Sequence, residues 1–437
     1  MRKFRKDRTT AAVDLRRLMK LAPVAWGIVI VYVAACSSAA SIGPFEIHTA
    51  DSSAVLSLRM AAQLRMDWEN KDGGIQSDRS STLSMQARRI RPSVAVDLPK
   101  QRLRFYLHLS TAPGSLELMD LYFDYRLGRS FQLRAGQYKT PFTRYRIQSY
   151  QRLTFVDWAV VTKYFGAERQ MGFTIHNGYE NPSRWGYAAG VFSGVNARAS
   201  HAVGLATIYG EPSVNPSDLS DPGPKARFHP ELFGHVSFNT GGIDVRSDSD
   251  EKSQGWRSSF AASLSWDLDP DQYQDLALRL APEMLLKHRG VSFMAAGYIG
   301  FVPIANSLRT RLAMTGLLAQ SSLRLTDRYE VSLRYAVVDM EEAVLNDAFL
   351  RAARLVNAAQ EQLSDSTLTQ EEFNDLKKRY RDAGRTKREQ ELTAGCNIYL
   401  QGHSLKWQSD VGWLRRTIRE GEAMNDITVR SQLQLAF

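Results

Sequence analysis

Residues 56–68 alternate without a break. Leu56, Leu58, Met60, Ala62, Leu64, Met66 and Trp68 take one face, and Ser57, Arg59, Ala61, Gln63, Arg65 and Asp67 take the other. A period of two is a strand, because side chains point to opposite faces of a pleated chain. Soluble strands average about five or six residues, and this run is thirteen. Its length suits a tilted strand crossing a bilayer, about 9–11 residues plus overhang.

The pattern recurs. Leu103, Phe105, Leu107 and Leu109 oppose Arg102, Arg104, Tyr106 and His108. In 83–98 the phase slips once, at Arg88-Arg89, which reads as a β-bulge. Further strand-like stretches are 116–127, 131–140, 169–177, 185–195, 225–238, 256–267, 274–287, 291–302, 309–325, 330–340, 390–401, 405–416 and 426–437, which makes sixteen in all. The gaps alternate between short turns, such as 99–101, 128–130 and 402–404, and long loops, such as 69–80, 143–168, 196–224 and 341–389. The gap 239–255 breaks that rule, being long where a short turn is due. Short turns on one rim and long loops on the other describe an all-β, antiparallel transmembrane β-barrel of sixteen strands in a bacterial outer membrane. The chain ends Leu433-Gln434-Leu435-Ala436-Phe437, an apolar alternation closing on an aromatic residue. A soluble β-sandwich explains the alternation but not these strand lengths.

Composition excludes other classes. Mean hydropathy is −0.33, too low for a bundle of apolar helices. Nineteen Phe, 17 Tyr and 8 Trp exclude a disordered chain, and two Cys exclude a disulfide scaffold. Eight cations precede a charge-free stretch from Leu21 to Ala35, and small residues follow at Ser37, Ser38, Ala39 and Ala40. This order reads as a signal peptide over 1–40, with the barrel over 41–437. Val33-Ala34-Ala35-Cys36 leaves a second reading open, a lipidated Cys36. Removal of 1–40 lowers the net charge from +10 to +4. That bulk charge does not point to nucleic acid.

Five strings, in order along the chain, carry a family resemblance. They are Leu133-Arg134-Ala135-Gly136-Gln137-Tyr138-Lys139-Thr140-Pro141-Phe142, Leu153-Thr154-Phe155 through Arg169-Gln170-Met171-Gly172, Tyr187-Ala188-Ala189-Gly190-Val191-Phe192-Ser193-Gly194, Leu392-Thr393-Ala394-Gly395-Cys396-Asn397-Ile398-Tyr399-Leu400 and the closing Val429-Arg430-Ser431-Gln432-Leu433-Gln434-Leu435-Ala436-Phe437. Together they resemble the phosphate-selective porin O/P family. The resemblance implies a sixteen-stranded barrel, usually a homotrimer. It also implies a pore lined by basic residues that passes small anions, phosphate or polyphosphate among them.

Charge placement bears on the anion reading independently. Between 81 and 153 there are thirteen cations and four anions. Arg59, Arg65, Arg88, Arg91, Arg102 and Arg104 lie opposite the apolar face and are expected to point into the lumen. An Arg facing mid-membrane lipid costs roughly 2–4 kcal/mol. Arg134 is a further pore-lining candidate. Arg144 and Arg146, with Arg152, belong to the loop 143–168. In sixteen-stranded porins the third long loop usually folds inward, which makes these constriction candidates. Guanidinium groups in a narrow wet pore favour anions and suit phosphate through paired donors. The alternative is that Asp and Glu neutralise these Arg residues across strands, Asp120 and Asp124 among them.

The insert 341–388 switches to helical period, with Leu345, Phe349, Ala352, Val356, Ala359 and Leu363 on one face. Thr369 and Glu372 form a capping box for a second helix. A helical hairpin on the extracellular side follows, either a lid or a surface for adhesion or assembly. Catalytic signatures are missing: there is no glycine-rich phosphate loop, HExxH or GxSxG, and eight His lie scattered. No enzyme, metal or cofactor is expected. A Ser/His pair within hydrogen-bond reach is the feature that would reopen the question.

Overall fold

The computed structural model describes residues 44–437 except 52, 74–78, 99–101, 112–115, 129, 181–183, 195–204, 211–229, 271–274, 304–309 and 366. The expected signal peptide, Cys36, the turn at 99–101 and the first residues of the stretch 225–238 lie outside the described residues.

Among the described residues, seventeen strands form one antiparallel sheet. A short strand β1 (Phe45–His48) precedes sixteen longer ones. They are β2 (Val55–Lys71), β3 (Ser80–Leu98), β4 (Leu103–Ser110), β5 (Glu117–Arg126), β6 (Gln132–Lys139), β7 (Arg169–His176), β8 (Trp185–Phe192), β9 (Glu231–Thr240) and β10 (Arg257–Asp267). The rest are β11 (Leu278–His288), β12 (Val291–Pro303), β13 (Thr310–Arg324), β14 (Tyr329–Met340), β15 (Thr386–Gln401), β16 (Leu405–Ile418) and β17 (Ala423–Ala436). Each pairs with the next, and β17 pairs back onto β2 from Ile427↔Asn70 to Ala436↔Ala61. The ring is therefore a closed barrel of sixteen strands, and closure removes every sheet edge. Each matches one of the sixteen stretches of alternating sequence. The strand β1 was not anticipated. It continues the place of β17 along β2, with Phe45 opposite Leu58.

The bulge falls where the phase slips. Gln63 pairs with Arg89 and Leu64 with Ala87, so Arg88 is the extra residue. Inward positions are buried and outward apolar ones exposed. On β2, Gln63, Arg65 and Asp67 are buried, whereas Leu58 and Leu64 face out. This inverts a soluble protein, as a lipid-facing wall requires.

The lumen is filled by chain rather than left open along its whole section. After β6, residues 140–168 fold inward and carry two short helices, α1 (Arg144–Ile147) and α2 (Val161–Phe165). Tyr145, Leu153, Phe155, Val161, Tyr164 and Phe165 from this loop are almost fully buried. The irregular connection 241–256 between β9 and β10 also turns inward, burying Ile243, Val245 and residues 247–250. A third helix α3 (Ala206–Tyr209) lies in the connection between β8 and β9.

The insert folds as a helical hairpin, α4 (Glu342–Ser364) and α5 (Gln370–Tyr380). The capping box is present: Thr369 Oγ1 accepts from Glu372 N, and Glu372 accepts from Thr369 N at 2.8 Å. The buried stripe of α4 is Val344, Leu345, Ala348, Ala352 and Ala359, packing with Leu205 and Ile208. Phe349, expected on that face, is instead half exposed, at 50%. The cause is close approach: the three alanines bring the helix down on their side, and the stripe rotates away from the bulky ring.

Candidate functional site

The inward loop is held against the wall formed by β14–β17 and β2–β3, chiefly through its main chain. Lys406 and Gln408 donate to Leu153 O at 3.0 and 2.8 Å. Asn397 donates to Thr154 O at 2.9 Å, and Arg65 Nη2 to Val156 O at 2.9 Å. In the other direction, Val156 N donates to Asp410 at 3.0 Å and Val160 N to Glu391 at 2.7 Å. Opposite, Glu283 accepts from Arg144 N and Tyr145 N. Lumen-facing polar residues at alternate strand positions make this possible, since those named meet loop backbone that needs a partner.

One loop carboxylate organises the basic residues. Asp157 accepts from Arg65 Nη1 at 3.0 Å and from Arg89 Nη2 at 3.1 Å, and Arg88 lies 4.0 Å away. Burial alone pushes its pKa up, but Arg89, Arg65, Arg430 and Arg88 outweigh burial and hold it well below the ordinary carboxylate range. Three guanidinium groups thus share Asp157, though Arg65 also has Asp67 at 4.0 Å. Rings complete the cluster. Arg91 stacks over Tyr150 at 4.5 Å, Arg89 lies over Trp158 at 5.4 Å and Arg146 over Trp158 at 4.5 Å.

The expected site residues do not form one row. Arg65, Arg88 and Arg91 join the cluster at Asp157 and Tyr150. Arg104 makes a fork to Asp97 at 2.8 Å. Arg134 is enclosed by Asp124 at 2.7 Å and Glu180 at 2.6 Å. Arg146 pairs with Glu168 at 2.6 Å. Arg59 and Arg102 have no ion-pair partner among the described residues. Arg144 is buried, and its Nη1 and Nη2 have no hydrogen-bond partner among the described residues. Asp120 binds Arg169 at 2.8 Å and His108 at 2.7 Å.

Sequence reasoning missed Asp157 and two of the residues around the loop. Arg89, at the bulge, is not among the expected pore-lining residues, yet it points inward beside Gln63 at 2.8 Å. Lys139, whose strand end does not alternate clearly, gives all three donors to the carbonyls of Arg146, Ile147 and Gln148 at 3.0, 3.3 and 2.9 Å. The poor alternation near it has a cause. Gly136 sits at φ +132°, and a Cβ there would lie 2.2 Å from Leu121 O.

Two Ser/His contacts exist among the described residues. His235 Nδ1 and Ser263 Oγ are 2.9 Å apart. Ser263 Oγ also accepts from Thr143 N at 3.3 Å, and among the described residues no carboxylate orients His235. At His403, Nε2 faces both Glu251 at 2.8 Å and Ser247 at 3.4 Å. One nitrogen serves both partners, so no relay from acid through imidazole to hydroxyl is formed.

A closed barrel with an outward apolar wall and an inward loop under polar anchors defines the class of outer-membrane channels. Residues 58–213 match the family model of phosphate-selective porin O and P, which bears out the resemblance over that segment. The fold is similar to the outer membrane channel DcaP of Acinetobacter baumannii, at 9% identity over 90% of this chain and 99% of that one, with a TM-score of 0.52. An anion-selective porin from Comamonas acidovorans aligns at 11% identity over 88% of this chain and 100% of that one, with a TM-score of 0.48. No curated protein sequence matches the chain. The protein is a bacterial outer-membrane β-barrel.

Proposed function

We propose that this barrel passes small anions by passive diffusion and that phosphate-like solutes are among them. The observation that carries the reading is the excess of guanidinium over carboxylate at the constriction, where Arg65, Arg88 and Arg89 share Asp157. Fixed positive charge beside a narrow wet path lowers the barrier for anions and raises it for cations. Arg59 and Arg102, exposed and without ion-pair partners among the described residues, add donors along the wall. The neutralised pairs Arg104–Asp97, Arg134–Asp124 and Arg146–Glu168 contribute less charge and more rigidity. Guanidinium forks match phosphate and carboxylate oxygens. The chemistry is transport without catalysis, the mature chain starts after residue 40, and three copies assemble as a homotrimer, which cross-linking in mild detergent tests.

The deciding experiment is the reversal potential of the purified protein in planar bilayers under a KCl gradient, with and without added phosphate. An anion-directed potential with phosphate block supports the reading, and cation selectivity overturns it. R88Q is expected to lower the chloride-over-potassium ratio roughly two-fold, the effect of one partly screened charge.

A further inference from the structure

On the rim of short turns, the connection 241–256 is out of scale. Its neighbours on that rim are as brief as 289–290 and 402–404. Its sequence is polar, yet Ser247, Asp248, Ser249 and Asp250 are almost wholly buried. It reaches from β9 and β10 to the turn between β15 and β16, where Glu251 bonds His403 at 2.8 Å. Those strands stand far apart around the ring, so the segment crosses the mouth of the lumen rather than hugging its rim.

The segment is fastened in the same manner as the constriction loop. Lys287 of β11 gives its three donors to the carbonyls of Asp244, Ser247 and Ser249, each at 2.8 Å. Lys139 does the same for the loop at Arg146, Ile147 and Gln148. A buried ammonium whose three protons all go to main-chain carbonyls of one segment fixes that backbone directly. Asp250 adds an ion pair to Arg257 at 2.5 Å and accepts from Gly290 N at 2.9 Å. The two inward segments also meet. Gln148 donates to Asp248 at 2.7 Å, Arg152 to Asp244 at 3.2 Å, and Asp248 N to Arg152 O at 3.3 Å.

We propose that residues 241–256 form a second constriction, on the periplasmic side, and that Lys287 is the residue that positions it. The inference rests on the channel reading. A solute passes the basic cluster at Asp157 and then this polar strap, whose Asp244 and Asp248 hold the loop's Gln148 and Arg152. The strap adds resistance in series. The cluster at Asp157, on the opposite seam of the loop, retains the charge selectivity.

Single-channel recording of the full protein in planar bilayers tests this. One variant lacks residues 243–250, so that its turn resembles its short neighbours. K287M removes the ammonium and keeps a chain of similar length, and K287R restores a cation. Heat-modifiable migration on gels reports that each barrel is folded. The shortened turn is expected to raise conductance at least about two-fold by widening the narrowest section on that side. K287M raises it less and adds open-channel flicker, K287R lies nearer the wild type, and the reversal potential of all three keeps the wild-type sign. If both the shortened variant and K287M conduct no more than the wild type, the strap is not a constriction. The wild-type reversal potential judges the channel reading separately.

Discussion

Two walls of the barrel hold the inward loop by different physics. On the β14–β17 and β2–β3 side, Lys406, Gln408, Asn397, Arg65, Asp410 and Glu391 bond main-chain atoms of residues 153–160. On the β4–β9 side the lumen is filled by rings. Tyr106, Tyr122, Tyr138, Phe192 and Phe233 stack in sequence at centroid distances of 5.1 to 5.7 Å, and Phe142 of the loop joins Phe233 at 6.4 Å. Hydrogen bonds are directional, so the polar wall sets where the loop backbone lies. Ring packing is much less directional, so the aromatic wall sets how much volume remains. The basic cluster at Asp157 thereby sits on the polar seam, whereas the charges of the aromatic side are held in pairs, Arg134 with Asp124 and Glu180, and Arg169 with Asp120.

The comparison predicts different failures. D157A leaves Arg65 and Arg89 without their shared carboxylate, and breaking a buried pair costs about 3–5 kcal/mol. The expected result is a loosened loop, with large fluctuations in current and a lower unfolding midpoint. F192A removes a fully buried ring from the aromatic wall and costs a similar ~3–5 kcal/mol through the cavity. Its reversal potential is expected to equal the wild type, because no charge has moved. If F192A shifts selectivity as much as D157A does, the division between walls is wrong.

A smaller effect sharpens the aromatic side. A Cβ at Gly172 would lie 2.2 Å from Phe192 Cδ1. G172A is therefore expected to cost about 1–3 kcal/mol by overpacking. The double variant G172A/F192A should cost somewhat less than the sum of the two, since the deleted ring removes its share of the clash, while the Val191 carbonyl 2.7 Å from that Cβ remains. Additive costs in a denaturant titration would show that the contact is not the cause.

These walls were unequally legible. The alternation of Leu56 to Trp68 shows which side chains point inward, because lipid leaves no other place for Arg65 or Asp67. The slip at Arg88-Arg89 likewise marks the bulge. Asp157 gave no such signal. It lies in a loop of no clear period, and its partners are 92 and 68 residues away in sequence. The gap 239–255 stands out in the sequence only by its length, for a related reason: nothing in a polar, irregular turn signals burial until Lys287 and the loop are seen to satisfy it. In α4, period alone located the helix but placed Phe349 on the wrong face, because small residues rather than large ones decide where two surfaces approach.

The smallest expected effect concerns acidity. Asp157 has an ordinary value of 3.8, and in the folded protein it lies well below this, held there against the opposing effect of burial by Arg89, Arg65, Arg430 and Arg88. A depressed folded value means that the carboxylate stabilises the fold fully above the unfolded value and loses that contribution as pH falls through the folded one. The window of loss thus lies below the ordinary carboxylate range. Between about pH 5 and 8 the Asp157 carboxylate stays ionised, and the net charge of its cluster is constant, since guanidinium does not titrate there. Reversal potentials measured across that interval should agree within error. A selectivity that falls steadily between pH 8 and 5 would mean that groups other than the cluster at Asp157 set the charge of the path.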